Sequence, residues 1–259
     1  MMKKQWDAFS LNAALGASIN DKTVNSTRYD SKTASLKYAN VFNLANIIMN
    51  GSAGLDQKID ARRQLQSLFA TAQLGYNEFV YLDLSARNDW SSTLAYTSHE
   101  KSGFFYPSVG FSLIFNKLMT LPRWVSLAKI RGAYSMVGND IPMFITNPSS
   151  HITAGGEFLA SDAAPFKDME PEMTHSFEAG IEARFLKNRI GLNATFYKTN
   201  TRNQFFKLPT LSGDKYAYRY VNAGNIQNVG WEVSLDAVPL LTNHFKWKTE
   251  VNFSTNRNK

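Results

Sequence analysis

Apolar and polar residues alternate one for one along much of the chain, and this period of two constrains the fold more than any other feature. Within Phe9–Ile19 the odd positions are apolar, while the even positions of Ser10–Asn20 are small or polar. The same alternation recurs in Val80–Asn88 and Ser176–Phe185. Successive side chains of a β-strand point to opposite faces, so each segment predicts a strand with one apolar and one polar face.

With weaker segments at about 63–76 and 127–136, the sequence predicts roughly nine antiparallel strands, each long enough to cross a bilayer at a tilt. No segment approaches the roughly 20 consecutive apolar residues that a membrane helix needs. We therefore expect an all-β chain that forms part of an antiparallel transmembrane β-barrel. A soluble β-sandwich also alternates apolar and polar residues, so the pattern alone leaves that alternative open.

Connection lengths favour the membrane barrel over the sandwich. Short turns near Asn77, 187–189 and 239–243 alternate with long connections at about 21–62, 90–103, 137–172 and 202–227. Barrels of the bacterial outer membrane join their strands by short periplasmic turns and longer outer loops. Aromatic residues, 13% of the chain, gather near the predicted strand ends, as Trp124 and Trp247 do. Tyr and Trp are enriched at membrane interfaces, which agrees with the membrane interpretation.

The predicted strand count indicates an incomplete barrel. A single-chain bacterial barrel closes with an even number of strands, and our count is odd. Open edges in lipid would leave backbone groups unpaired, at several kcal/mol each. We expect residues 1–259 to be one partial barrel domain, with further strands supplied by the intact protein.

Charge and motif content disfavour nucleic-acid binding and catalysis. The net charge is +7, but the basic residues are dispersed, and Arg62–Arg63 is the nearest approach to a cluster. The four histidines do not show metal-site spacing, there is no cysteine, and no nucleophile elbow or phosphate loop occurs. We therefore expect no nucleic-acid partner, no catalytic residue, no metal and no cofactor.

Charged residues on the polar faces of the strands predict a water-filled lumen. Carboxylates at even spacing, such as Glu178 and Glu182, are better explained by facing water than by acid–base catalysis. Lys129 and Arg131 on the neighbouring strand are expected to meet Glu182 across the ladder. The complete set that we predict to line the lumen is Asp83, Arg87, Asp89, Lys129, Arg131, Glu178 and Glu182.

Six short motifs occur in one order between about residues 87 and 235. They are Arg87–Ser92 (RNDWSS), Phe105–Gly110 (FYPSVG), Ala128–Ser135 (AKIRGAYS) with Val137–Asp140 (VGND), Pro171–Thr174 (PEMT) with Phe177–Gly180 (FEAG), Asn188-Arg189 with Phe196-Tyr197, and Asn222–Ile226 (NAGNI) leading to Asn228–Glu232 (NVGWE). In this order they resemble the SusC/RagA-type TonB-linked outer-membrane proteins. The motifs mark strand ends and turns, and Gly132, Gly180 and Gly224 among them are explained by strand and turn geometry.

The resemblance implies a 22-stranded barrel of the outer membrane that is closed by an N-terminal plug. It implies uptake of glycan or peptide oligomers, energised through TonB, with a SusD-like lipoprotein as a lid. The plug and the C-terminal strands are not in this sequence. Two alternatives stay open: a soluble all-β carbohydrate-binding or adhesive module, and a passive porin that lacks a plug.

Overall fold

The computed structural model describes residues 1–30, 35–41, 43–48, 54–101, 103–152 and 158–259. Within these residues the regular structure is almost entirely β, and the one α-helix, α1 (Phe115–Leu118), has a single turn. No described helix reaches the length and apolarity of a helical membrane span. Two short 3-10 helices occupy Leu44–Asn46 and Ser92–Leu94.

The strands are β1 (Met2–Trp6), β2 (Phe9–Asp30), β3 (Ser35–Leu36), β4 (Ile47–Ile48), β5 (Gly54–Tyr76), β6 (Val80–Ser91), β7 (Phe104–Ile114), β8 (Val125–Asn139), β9 (His151–Ile152), β10 (Phe158–Leu159), β11 (Glu172–Phe185), β12 (Ile190–Arg202), β13 (Phe205–Pro209), β14 (Tyr218–Asn222), β15 (Asn225–Leu241) and β16 (Lys246–Asn258).

Ten of these strands form one antiparallel sheet in the order β1-β2-β5-β6-β7-β8-β11-β12-β15-β16. The expected all-β antiparallel architecture is confirmed. The tenth strand is β1, which the sequence analysis missed because its residues, Met2–Trp6, do not alternate between apolar and polar. The argument from an odd strand count is therefore wrong. The sheet is nevertheless unclosed, because β1 and β16 lie at its two opposite edges.

Short and long connections alternate along this sheet, as predicted. The connections 77–79, 115–124, 186–189 and 242–245 lie at one end, called here the short-turn end. The connections 31–53, 92–103, 140–171 and 203–224 lie at the other, called the long-loop end. The six smaller strands belong to these long connections and form three two-stranded ladders.

The predicted loop at about 21–62 is wrong at both of its ends, since β2 continues to Asp30 and β5 begins at Gly54. The two strands pair along their whole length, far beyond the point where β6 stops pairing with β5. Asp21 and Arg62 form an ion pair in this projecting part. Residues 31–34, 42 and 49–53 of the predicted loop lie outside the described residues.

The register gives the sheet one apolar and one polar face. Ile130, Ile181, Ala194, Val233 and Phe253 follow one another across five strands in a single apolar row. Ile181 and Phe253 are 47% and 61% exposed, and the other three residues of the row are half-buried. Among the described residues the main apolar cluster lies at the long-loop end, not on a sheet face. A sandwich would cover the apolar face with a second sheet, so the β-sandwich alternative does not fit.

Glycines on the sheet lie beneath large side chains of neighbouring strands. On the apolar face a Cβ on Gly132 would come within 2.6 Å of the Phe111 ring, and on the polar face Gly16 lies beneath Phe69. Gly224 adopts a positive φ of 88° at a turn. The structural interpretation of these glycines is confirmed, because an added side chain would have no space or would strain the backbone.

Candidate functional site on the polar face

All seven residues predicted to line a lumen lie on the same, polar face of the sheet. Asp83 and Glu178 belong to one row, because Asp83 pairs with Gly110, Gly110 with Ala133, and Ala133 with Glu178. Two residues further along each strand towards the short-turn end, Arg131 lies opposite Gly180. Lys129 then lies directly opposite Glu182, as predicted. The remaining two, Arg87 and Asp89, lie higher on β6 towards the long-loop end.

The charge pairing in the middle of this face differs from the expected one for Arg131. Its guanidinium crosses over Gly180 and donates a hydrogen bond to Thr195 Oγ1 at 2.8 Å. Glu182 is 3.7 Å from Arg184 Nε, and Arg184 in turn is 3.7 Å from Asp236. Arg131 passes over Gly180 because that position has no Cβ, a geometry that the spacing of charges in the sequence does not reveal.

Arg87 and Asp89 are the centre of a partly buried network near the long-loop end. Arg87 Nε donates to Asp89 Oδ1 at 2.7 Å and Arg87 Nη2 donates to Ser67 Oγ at 2.9 Å. The Tyr106 hydroxyl donates to the other carboxylate oxygen of Asp89. The Arg87 guanidinium also lies 5.9 Å from the centre of the Phe69 ring. Asp89 is only 4% exposed, so its charge depends on these partners.

A second carboxylate, Asp140, joins two connections of the long-loop end, 92–103 and 140–171, to the sheet. It accepts hydrogen bonds from Ser91 Oγ at 2.7 Å and from the Thr93 hydroxyl. Arg63 of β5 forms an ion pair with it at 2.5 Å. The side chain of Asp140 also accepts from the backbone N–H of Ile141 at 2.8 Å. The link between β8 and β11 is thereby fixed to β5 and to the end of β6.

Above this network the long connections share one apolar cluster, called here the loop core. Its buried members are Leu94, Phe104, Ile141, Ile145 and Met169, and it is flanked by Tyr106, Phe166, Phe205 and Tyr220. Asn222 ties the same connections by polar contacts, accepting from Glu170 N at 2.8 Å and donating to Asn203 O at 2.7 Å. Three separate long connections therefore pack as one body.

Three of the six motifs that carry the family resemblance meet in this region. Arg87, Asp89 and Ser91 come from the first motif, Tyr106 from the second and Asp140 from the third. Sequence reasoning placed these motifs at strand ends and turns, which is confirmed, but it missed their mutual contacts. It also missed Arg63, whose carboxylate partner lies on a distant strand end. In the sequence, these contacts are indicated only by acidic and basic residues that lie close together within one motif, as Arg87 and Asp89 do.

We expect Asp89→Asn in the intact protein to reduce the free energy of unfolding by roughly 1.5–3 kcal/mol, the value of hydrogen bonds to charged groups. The change removes the charge that Arg87 and Tyr106 both contact. Urea titration of the protein in vesicles measures the effect. Asp83→Asn is the matched control on the same strand and face, since Asp83 makes an exposed hydrogen bond with Gln73. Equal reductions of the free energy of unfolding in the two variants would contradict a stabilising role of the network around Asp89.

Residues 3–258 match a family model described as TonB dependent receptor-like, beta-barrel. TonB-dependent receptor P39 of Formosa agariphila is 25% identical over 231 residues, which cover 86% of this chain and 21% of that protein. TonB-dependent receptor SusC of Bacteroides thetaiotaomicron is 24% identical over 77% of this chain and 22% of its own length. The chain thus spans about a fifth of each of these relatives.

Solved structures agree with the family match at the level of the fold. A chain of the RagAB peptide transporter superposes with a TM-score of 0.80 at 20% identity, covering 99% of this chain and 29% of its own. The superposition covers nearly the whole of this chain, so its open sheet shares the fold of part of that longer chain.

Proposed function

The chain belongs to the TonB dependent receptor-like β-barrel family, and from that premise we propose that the intact protein is a nutrient-uptake receptor for glycan or peptide oligomers. The family consists of outer-membrane receptors and transporters and is not a class of enzymes. The outer membrane is therefore the location of this protein. Family membership alone does not specify active uptake energised through TonB, which is our proposal for the intact protein.

The two faces of the sheet support an orientation in the membrane. In our proposal the apolar face, with Ile181 and Val233, meets hydrocarbon, and the polar face lines the lumen. Asp83, Arg87, Asp89, Lys129, Arg131, Glu178 and Glu182 would then contact water or passing substrate. The short-turn end would face the periplasm and the long-loop end the outside, following the usual arrangement of these barrels.

The proposed substrates are oligomers of sugars or amino acids. The similar RagAB structure is named as a peptide transporter, which supports the peptide class. The motif resemblance to SusC/RagA-type proteins, together with the relative SusC, supports the glycan class. The polar face carries both acidic residues, such as Asp83 and Glu178, and basic residues, such as Lys129 and Arg131, and is therefore suited to polar, water-soluble cargo.

The proposed partners follow from the same resemblance. We propose that TonB, a SusD-like lipoprotein on the outer side and the surrounding lipid are the partners of the intact protein. Residues 1–259 are proposed to form one part of its barrel domain, with a plug and additional strands completing a barrel of about 22 strands. The unclosed sheet is the observation that carries this proposal, because its two edges require partner strands.

Uptake measurements in the native host test the proposal. Deleting the gene should lower uptake of labelled oligosaccharides or oligopeptides at least tenfold, and the intact gene should restore it. Removing TonB in the complemented strain should abolish the restored uptake. Oligomer uptake that persists without TonB would contradict active transport and support the passive porin instead.

A further inference from the structure

A groove of about 750 Å³ lies at the short-turn end, on the apolar side of the sheet. Three separate parts of the chain line it: Arg123 and Trp124 before β8, the turn between β11 and β12, and 237–239 of β15. Its floor is apolar, with Trp124, Leu186 and Ile190 among its members. Its rim carries the basic residues Arg123, Lys187 and Arg189. From this combination we infer that the groove binds an anionic phospholipid.

The floor of the groove continues the apolar face that is proposed to meet lipid. Ile190 pairs with Phe185 on one side and with Ala237 on the other, so all three belong to the last apolar row before the turns. Trp124 stacks on Phe185, with ring centres 5.6 Å apart and planes inclined by 26°. Trp at this depth is typical of a membrane interface, where acyl chains meet headgroups. The acyl chains of a lipid are apolar and can pack against this floor.

The basic rim is held in place by the backbone. Arg189 donates from Nε to Val238 O at 3.1 Å and from Nη2 to Pro239 O at 2.7 Å. These two bonds occupy only part of the five N–H donors of a guanidinium, so others are available to a phosphate. The turn itself holds Leu186, Lys187 and Asn188 at positive φ values of 53°, 57° and 65°. These values are typical of a tight β-hairpin turn, and Asn77 and Glu78 adopt similar ones in another turn at the same end.

The rim cations Arg123 and Lys187 have no carboxylate partner within the described part of the chain. Lys117, at the same end of the sheet, is different because its ammonium donates to Glu78 at 2.7 Å. That hydrogen bond holds the pKa of the Glu78 carboxyl below its ordinary value. Three cations gathered around an apolar floor fit one phosphate diester with its attached acyl chains.

Lipid selectivity of the intact protein in detergent tests the inference. Binding of dioleoyl phosphatidylglycerol and dioleoyl phosphatidylcholine, which differ in headgroup charge, is measured by native mass spectrometry. We expect phosphatidylglycerol to bind more tightly, and the double variant Arg123→Gln/Lys187→Gln to lose about fivefold in affinity per cation, or about 25-fold in total. Lys117→Gln, with its cation already paired, should bind within about twofold of the wild type.

Two further measurements keep the test decisive. Lys187→Arg preserves the charge and should retain the preference for phosphatidylglycerol. With that preference retained, weaker binding by the double variant is due to the lost charges and not to an altered turn. Soluble glycerol 3-phosphate should not compete at millimolar concentration, because it lacks the acyl chains that fill the floor. Equal binding of both lipids, unchanged binding in the double variant, or competition by glycerol 3-phosphate would each overturn the lipid site.

This inference rests on the proposed membrane orientation but not on transport. The orientation is tested separately by Val233→Arg and Ser234→Arg, which lie on the two faces of β15. If those substitutions show the expected contrast while lipid selectivity is absent, only the phospholipid site fails. If the contrast is absent as well, the orientation itself is wrong.

Discussion

Val233→Arg in the intact protein is expected to reduce the free energy of unfolding, measured in vesicles, by about 2–4 kcal/mol. Val233 lies at the middle of β15, and in the apolar row it lies between Ala194 on β12 and Phe253 on β16. An arginine at this depth on the lipid side must leave its charge in hydrocarbon or deform the bilayer to reach water. Urea titration of folding into phosphatidylcholine vesicles measures the loss.

Ser234→Arg is the matched control, one residue further along the same strand. Ser234 lies on the polar face between Asn193 and Asn252, beside a depression that Glu232 also lines. An arginine there meets water and a nearby carboxylate, so the expected cost is below about 1 kcal/mol. Similar losses at Val233 and Ser234 would show that the two faces do not differ in their surroundings.

Leu94→Ala is expected to destabilise the loop core by about 2–5 kcal/mol, the usual cost of such a truncation in a packed interior. Leu94 is 1% exposed and packs with residues from the connection 140–171. Because the long connections share this core, the opening should extend beyond the segment that carries the substitution. Hydrogen exchange at the amides near Ile145 measures the opening free energy.

Limited proteolysis of the intact protein gives a second readout of the loop core. A loss of at least 2 kcal/mol raises the open population about thirtyfold, and cleavage within both 92–101 and 140–150 should accelerate accordingly. Leu211→Ala is the control, because Leu211 is 87% exposed and its truncation leaves no cavity. Acceleration confined to the mutated connection would contradict a shared core.

The membrane-facing part of the fold was predictable from sequence because each strand there has two different environments. An apolar environment on one side and water on the other impose the period of two seen in Val80–Asn88. Where both faces meet water the pattern disappears. Asp21, Lys22 and Thr23 are consecutive polar residues, and the outer half of β2 was therefore mistaken for a loop.

The positions of the candidate site residues were predictable, whereas most of their contacts were not. Alternation alone assigned Asp83, Lys129 and Glu178 to one face, and the register agrees. The pairing of Asp140 with Arg63 depends on how a connection folds back over the sheet. The loop core likewise draws on residues from several connections without any period. Such contacts are set by three-dimensional packing, which a one-dimensional pattern does not contain.

The fusion of the long connections into one body has a practical consequence for protein engineering. An epitope or affinity handle inserted at 92–97 would separate Leu94 from its neighbours and disturb distant connections as well. The tip at 211–215 is the better insertion point, because Gly213 has open space around it and Leu211 points away from the packed cluster. Exposed tips of this kind tolerate added sequence, so labelled versions of the receptor are best built there.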